Sequence, residues 1–572
     1  MAYDKRYKRR HAARRFGRLR LKRGSAAFPE SGGILMYQQE YERWLAAELE
    51  DKDLKPELLS IQGIDAEIQD RFAVELEFGT AGLRGVLGAG TNRMNIYMVR
   101  KATQGLANYL NKQGGKKSVA ISYDSRIKSD VFAREAARVL AGNGVKAYLY
   151  KEMMPVPALS FATRHLHCDA GIMVTASHNP AKYNGYKAYG PDGCQMTSEA
   201  ADAVYAEMQA TDIFAGIRLA DFDAALEQGG IEYIGQDTIE ALYENIKAQS
   251  VRPGLCKTAG LKLVYSPLNG SGLVPVTRVL GDIGITDITI VPEQQYPDGN
   301  FPTCPYPNPE IREALALGLA LAEKSGADLM LATDPDADRV GIAVRCKDGS
   351  YQLLSGNEVG VLLLDYICKG RTENGTMPKA PVCVKSIVST PLADVVAAHY
   401  GVECRNVLTG FKWIGDQIAG LEAAGEVAVS YTHLAVGTYG TAINGMEDDN
   451  MKFLKVTSGK CEVFTAPDVN AVEKSYNGGK LTEGVCYPVQ AEVGSSGGYS
   501  WVRIFVAGVQ RYAAVLADRC QLVTLSPGDA FTACVAQGGD TAELEKQLEV
   551  ANARADEANK RLANIKAYVA GV

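Results

Sequence analysis

The sequence predicts an α/β protein: consecutive α/β/α sandwich domains, the third incomplete, followed by a small β-rich segment and a C-terminal coiled-coil helix. Three observations carry this expectation. Apolar runs of strand length alternate with helical stretches over residues 119–429, the pattern of sheets covered by helices. The two most chemically distinctive loops, 175–180 and 334–339, each follow directly on such a run, where ligands bind in these sheets. A 4-3 spacing of apolar residues runs close to the C-terminus.

A chain of 572 residues is too long for one core and suits three or four domains. Residues 36–220 are read as the first α/β unit, with strands at 119–123 and 145–150, helices at 131–143 and 198–209, and Gly144 as a helix C-cap. Residues 230–345 are the second. A strand at 261–265 leads through the turn Asn269-Gly270-Ser271-Gly272 into a helix, and a strand at 286–292 follows. The turn Pro297-Asp298-Gly299-Asn300 opens an irregular Pro-rich loop to Pro309, then come a helix over 310–325 and a strand over 328–332. Residues 346–430 begin a third unit, with helices at 356–369, 391–399 and 412–424 and strands at 382–388 and from 427. Residues 436–540 are Gly-, Val- and Thr-rich short segments such as 501–506, read as a β-rich module of unknown origin. In 541–569, Leu544, Leu548, Ala551, Ala555, Ala558, Leu562, Ile565 and Val569 form an a/d seam for self-association, although such a seam also fits a helix packed on its own domain.

Residues 1–35 differ from the rest. They hold eleven Lys or Arg against two acids, a net +9, so the remainder carries −15 of the chain's −6. A basic arm binds nucleic acid or anionic membrane, and an Arg-rich, acid-poor leader is also the pattern of a transit peptide. The reading favoured here is a start-site artefact, with Met36 as the start; no nucleic-acid partner is then expected. No apolar run approaches the roughly 20 residues of a membrane span. Twelve cysteines without a Cys-x-x-Cys pair read as reduced thiols of a cytoplasmic protein.

The apolar run 170–174 delivers Thr175-Ala176-Ser177-His178-Asn179-Pro180, then Asn184-Gly185-Tyr186-Lys187. A serine at a strand end, beside an imidazole and with a lysine ten residues on, can carry a phosphoryl group; an ordinary turn uses the same residue types. In Asp334-Pro335-Asp336-Ala337-Asp338-Arg339, three carboxylates at alternate positions converge on one point, and a hard divalent cation relieves their repulsion. Mg²⁺ is the expected ion beside phosphate, and Arg339 suits a metal site that also holds an oxyanion. A solvated acidic turn or a Ca²⁺ loop is the plainer alternative, although this loop lacks the Gly and later Glu that an EF-hand needs.

With Phe78-Gly79-Thr80-Ala81-Gly82-Leu83-Arg84-Gly85, Tyr123-Asp124-Ser125-Arg126 and Leu408-Thr409-Gly410-Phe411-Lys412, these motifs stand in one order, and residues 37 to about 428 resemble the α-D-phosphohexomutase superfamily. The 412 motif and the long N-terminal region look most like its phosphoglucomutase and phosphopentomutase branch. The resemblance implies an Mg²⁺-dependent enzyme that moves phosphate between O1 and O6 of a phosphosugar through a phosphoserine and a bisphosphate, with glucose 1,6-bisphosphate as intermediate and activator. It implies Ser177 as nucleophile and fourth metal ligand beside Asp334, Asp336 and Asp338, and Lys187 as general base with His178 as helper. A plain phosphate anchor is the other role for Lys187. Arg84 and Arg126 would hold the phosphoryl group and lower the proton affinity of Lys187, and Lys412 would reach the substrate from the third domain. The resemblance stops near Ser430-Tyr431-Thr432-His433-Leu434-Ala435, where the family would supply a sugar-reading loop and later a phosphate-binding domain. The competing expectation is therefore a truncated, catalytically impaired mutase joined to an unrelated β and coiled-coil module.

Overall fold

The computed structural model describes residues 30–79, 82–423, 427–432, 451–456, 481, 486–496, 499–506, 509–515 and 520–525. Residues 1–29 of the basic leader and the expected coiled coil at 541–569 lie outside them, as do residues 433–435 after the third unit. The described chain divides into two compact units, the first holding residues up to 340 except 251–255 and 310–312, which belong with the second.

The first unit begins with a helix, Glu30–Ala46, whose Trp44 is fully buried among Phe72, Tyr97 and Phe214 in edge-on ring contacts. Its main sheet has six strands: β1 (Gly82–Val86), β2 (Ser118–Tyr123), β3 (Lys146–Leu149), β4 (Ala170–Val174), β5 (Tyr183–Tyr189) and β6 (Ile231–Tyr233). Their order is β1-β5-β4-β2-β3-β6. β4, β2, β3 and β6 are parallel, while β1 and β5 run antiparallel at one edge. Every residue of β4 is buried, as befits a central strand covered on both faces. One covering helix, Ile96–Lys112, starts where the Asn95 side chain accepts hydrogen bonds from the backbone N–H groups of Tyr97 and Met98. The helix Ser198–Gln209 has the predicted bounds, set by Thr197 accepting from Ala200 N–H.

Further along the first unit, β7 (Lys262–Ser266), β8 (Asp287–Ile290) and β9 (Leu329–Thr333) form parallel pairs on either side of β7. The helix expected over 310–325 is shorter, Ala316–Ser325, because turns occupy the residues just after the Pro-rich loop. β1 and β5 have no counterpart in the predicted elements. Their Gly-containing, polar sequences lack the apolar run that marks a buried strand, and pairing rather than propensity makes them strands.

From its second residue on, β10 (Val340–Arg345) belongs to the second unit, where it forms a hairpin with β11 (Tyr351–Leu354). That unit also contains a parallel sheet in the order β13-β12-β14, from β12 (Pro381–Ser386), β13 (Glu403–Val407) and β14 (Val427–Thr432). Alternate residues of β12 face opposite layers. Cys383 packs with Leu364, Ala393 and Val396, whereas Val382 and Val384 pack with Ile414 and Leu421. That is the α/β/α sandwich expected for the third domain. The helix Gly356–Glu373 opens with a capping box between Ser355 and Glu358. The expected β-rich segment is an antiparallel sheet in the order β18-β17-β16-β15-β19, from β15 (Met451–Val456), β16 (Cys486–Ser496), β17 (Tyr499–Val506), β18 (Val509–Val515) and β19 (Cys520–Leu525). Among the described residues no helix is long and apolar enough to cross a membrane.

Candidate active site

In the first unit the serine loop leaves the carboxyl end of β4 and the aspartate loop leaves that of β9. Ser177 is 3% exposed and sits at φ +51°, a left-handed conformation that side-chain-bearing residues seldom adopt. Its amide donates to Thr175 Oγ1 (2.8 Å) and its hydroxyl to Asp334 Oδ2 (3.0 Å), while His178 Nδ1 lies 3.2 Å from the Ser177 Oγ. The strained turn thus aims Oγ at the carboxylates.

Asp334, Asp336 and Asp338 each place an oxygen within 4.8 Å of the others, the first two buried and the third exposed. Burial, then the charges of Asp336 and Asp338, hold the Asp334 carboxyl well above the usual carboxylate range. Burial also works against ionised Asp336, but the charge of Lys187 and hydrogen bonds from its neighbours prevail and lower it to about 2. Two buried carboxyls at this distance retain a proton between them unless a cation replaces it. Asp336 Oδ1 is buried with no hydrogen-bond partner among the described residues. An all-oxygen donor set with one orphaned carboxylate oxygen fits a hard divalent cation such as Mg²⁺.

The glycine-rich turn Asn269-Gly270-Ser271-Gly272, between β7 and the helix Leu273–Ile283 of the same unit, supports this loop. Ser271 donates to Pro335 O from both its amide (2.9 Å) and its hydroxyl (2.8 Å). A Cβ on Gly270 would lie 2.4 Å from Pro335 Cα. Gly270→Ala must therefore push the aspartate loop away. The expected result is a loss of about 1–3 kcal/mol of stability together with weaker Mn²⁺ binding, read by thermal unfolding and titration; unchanged binding would show that the loop tolerates the shift.

Lys187 lies on β5 opposite Met173 of β4, and its Nζ is 3.3 Å from Asp336 Oδ2 and 3.9 Å from Asp338 Oδ2. Carboxylates face it here, and the charge of Arg126 acts on the same Asp336 carboxylate. Arg84, on β1 opposite Gly185, is close enough for its charge to act on Arg126. Arg339 donates its amide to Asp334 Oδ1 at 3.0 Å and sets its charge beside that carboxyl. Lys412 belongs to the second unit, near the start of the helix Phe411–Ala423, with Nζ 4.9 Å from the Trp413 ring centroid.

Arg126, expected to hold a phosphoryl group, has a fully buried side chain whose Nη atoms donate to the carbonyl oxygens of Pro180 (3.1 Å), Tyr183 (3.0 Å), Ser177 (2.5 Å) and Asn179. Those four bonds occupy the four N–H groups of the two Nη atoms.

Three contributors carry no predicted role. Thr175 donates its hydroxyl toward Asp124 Oδ2 (2.6 Å) and Asp336 Oδ2 (3.2 Å), tying the loops together. Asp124, whose carboxyl burial pushes up, accepts from Arg126 N–H (3.0 Å) and Ser129 Oγ (2.9 Å). Asn184 donates to Ile127 O and Ser129 Oγ, both at 3.0 Å. All three lie in motifs whose residue types were visible; their connection required the register of β2, β4 and β5.

Three family models match the chain: phosphoglucomutase/phosphomannomutase α/β/α domain I over residues 75–213, domain II over 239–349 and domain III over 355–446. The third match runs past the point near 428 where the resemblance was expected to stop. Phosphoglucomutase of Staphylococcus saprophyticus is 40% identical over 343 residues, covering 60% of this chain and 61% of that protein. Phosphoglucomutase of Staphylococcus aureus is 36% identical over 363 residues, covering 63% and 64%. The chain thus spans about three fifths of the length of these curated relatives. Among solved structures, a Thermus thermophilus protein assigned as a phosphomannomutase aligns with a TM-score of 0.52 at 21% identity, over 83% of this chain and 99% of that one. The phosphoglucomutase parafusin from Paramecium aligns at 0.50 and 14% identity, over 83% and 95%. At these identities the two structures establish the fold.

Proposed function

Because the chain belongs to the phosphoglucomutase/phosphomannomutase family of the α-D-phosphohexomutase superfamily, we propose that it is a phosphoglucomutase-type phosphotransferase that interconverts the 1- and 6-phosphates of a hexose. The observation that carries the reading is Ser177 Oγ, turned by a left-handed backbone to within 3.0 Å of a buried carboxylate of the Asp334, Asp336 and Asp338 cluster.

In this reading Ser177 carries the phosphoryl group. As the sugar hydroxyl oxygen bonds to phosphorus, the Ser177 oxygen leaves it, giving glucose 1,6-bisphosphate; the other phosphate then returns to Ser177. Lys187 takes the proton of the attacking hydroxyl, and His178, beside Oγ, assists at the serine oxygen. Arg84 and Arg339 bring positive charge to the transferring group, and Lys412 serves the substrate from the third domain. Asp334, Asp336, Asp338 and the Ser177 oxygen would hold Mg²⁺, which neutralises charge on the phosphoryl oxygens.

A coupled assay of glucose 1-phosphate to glucose 6-phosphate, with glucose 1,6-bisphosphate as primer, tests the proposal. The expected result is turnover that requires Mg²⁺, stops in excess EDTA and leaves phosphate on Ser177. No conversion of glucose, mannose or ribose phosphates, with Ser177 unmodified throughout, would overturn it.

A further inference from the structure

We infer that Arg126 is a positioning residue: with Phe301 stacked behind it, it holds the serine loop in the conformation that presents Ser177. The inference rests on the reading of Ser177 as phosphoryl acceptor, and the two can fail separately.

The geometry begins with the loop itself. Between Ser177 and Tyr183 the chain turns four carbonyl oxygens, those of Ser177, Asn179, Pro180 and Tyr183, toward one point. Four carbonyls facing one another need a buried cation with several donors in one plane. A guanidinium meets that need and an ammonium, with three donors and no plane, does not. Arg126 stands there fully buried, and its Nε lies 3.5 Å from Asp124 Oδ2, so the charge is balanced on the side away from the loop. Thr175 continues the brace, receiving the Ser177 amide and giving its own proton to the carboxylates.

The back of the guanidinium is closed by a segment distant in sequence. Its Cζ lies 5.1 Å from the ring centroid of Phe301, which is 1% exposed and sits at φ +48°. The turn before Phe301 fits against the backbone of Arg126's own motif: a Cβ on Gly299 would lie 2.5 Å from Ile127 N and 2.8 Å from Ser125 O. The turn is fixed in its own right by the Asp298 carboxylate, which accepts from the Asn300 amide at 2.9 Å and its side chain at 3.0 Å. The Pro-rich loop read from the sequence as merely irregular is thus the buttress of the serine loop. A residue that held a ring and a loop only for stability would not concentrate its donors on the one loop that carries Ser177.

The test compares wild type with Arg126→Lys and Phe301→Leu, each still carrying Ser177. Hydrogen exchange of the peptide spanning 175–183 reads the loop directly, since Ser177 and Asn179 amides are hydrogen-bonded there. Peptides from β2 and the helix Ile96–Lys112 serve as controls for the fold. Phosphoryl uptake from glucose 1,6-bisphosphate is the second readout. For Arg126→Lys the expected result is exchange about 10-fold faster or more in 175–183, with the controls unchanged. Uptake should slow by about 10²-fold, the effect of misplacing a reacting group by an ångström. Phe301→Leu should show the same pattern more weakly. Wild-type exchange in 175–183 in either folded variant would overturn the inference, as would wild-type uptake. A wild-type protein that takes up no phosphate, with exchange in the variants as expected, would overturn the functional reading and leave the brace standing. If Arg126→Lys does not fold, Phe301→Leu decides.

Discussion

Ser177→Ala is expected to abolish phosphoryl uptake from glucose 1,6-bisphosphate, with any residual rate lower by about 10⁴-fold or more, the scale on which removal of a nucleophile acts. The argument is geometric. The Ser177 hydroxyl is the one brought to 3.0 Å from Asp334 Oδ2 at the end of β4, beside His178. The backbone supplies a control that separates chemistry from stability. At φ +51° an alanine keeps the strain of a side chain while losing the hydrogen bond, whereas a glycine relieves that strain. Ser177→Gly should therefore be as inactive as Ser177→Ala, yet more stable than it by up to about 1 kcal/mol. Intact-mass analysis after incubation with the bisphosphate, run beside thermal unfolding, checks both halves. Uptake of one phosphoryl group by either variant would place the acceptor elsewhere.

The parts of this site that the sequence shows are those in which residue type and backbone position coincide. The loops of Ser177 and the three aspartates follow directly on apolar strands, so their place at strand carboxyl ends could be read from the run itself. Lys187 is legible as a residue but not as a neighbour. Its contact with Asp336 depends on β5 pairing antiparallel with β4 at Met173, and the segment 183–189 has no strand signature of its own. Arg126 is the opposite case. An arginine in a motif with aspartate and serine suggests an anion by charge alone, but charge says nothing of burial, and here backbone carbonyls take the N–H groups of both Nη atoms. Phe301 carries no local signal. What gives it a role is the approach of Gly299 to within Cβ-clash distance of Ile127, across residues distant in sequence.

Asp336→Asn is expected to weaken divalent-metal binding by about 10²-fold or more, since loss of a coordinating charge should exceed the 10–100-fold cost of losing an outer partner. The substitution keeps the shape of the side chain and removes its charge, so opposing effects must be weighed in the metal-free protein. Lys187 loses its closer carboxylate, 3.3 Å away, although Asp338 remains at 3.9 Å. Weakening the pairing of a charge so little exposed to water is costly. Against this, Asp334 no longer faces a second buried charge, and that repulsion contributes to holding its carboxyl above the usual range. These two terms oppose each other, so the metal-free variant should unfold close to wild type. The difference should appear on adding metal. At a free concentration about 100 times its Kd, Mg²⁺ stabilises the wild type by about 2.7 kcal/mol, and a variant bound about 10²-fold more weakly gains only about 0.4 kcal/mol. Asp338→Asn, at an exposed position, should lose less than Asp336→Asn in the same titration. Thermal unfolding with and without MgCl₂, with Mn²⁺ titration calorimetry beside it, measures both. A metal-dependent shift in Asp336→Asn equal to that of the wild type would remove Asp336 from the ligand set and leave its bond to Lys187 as its role.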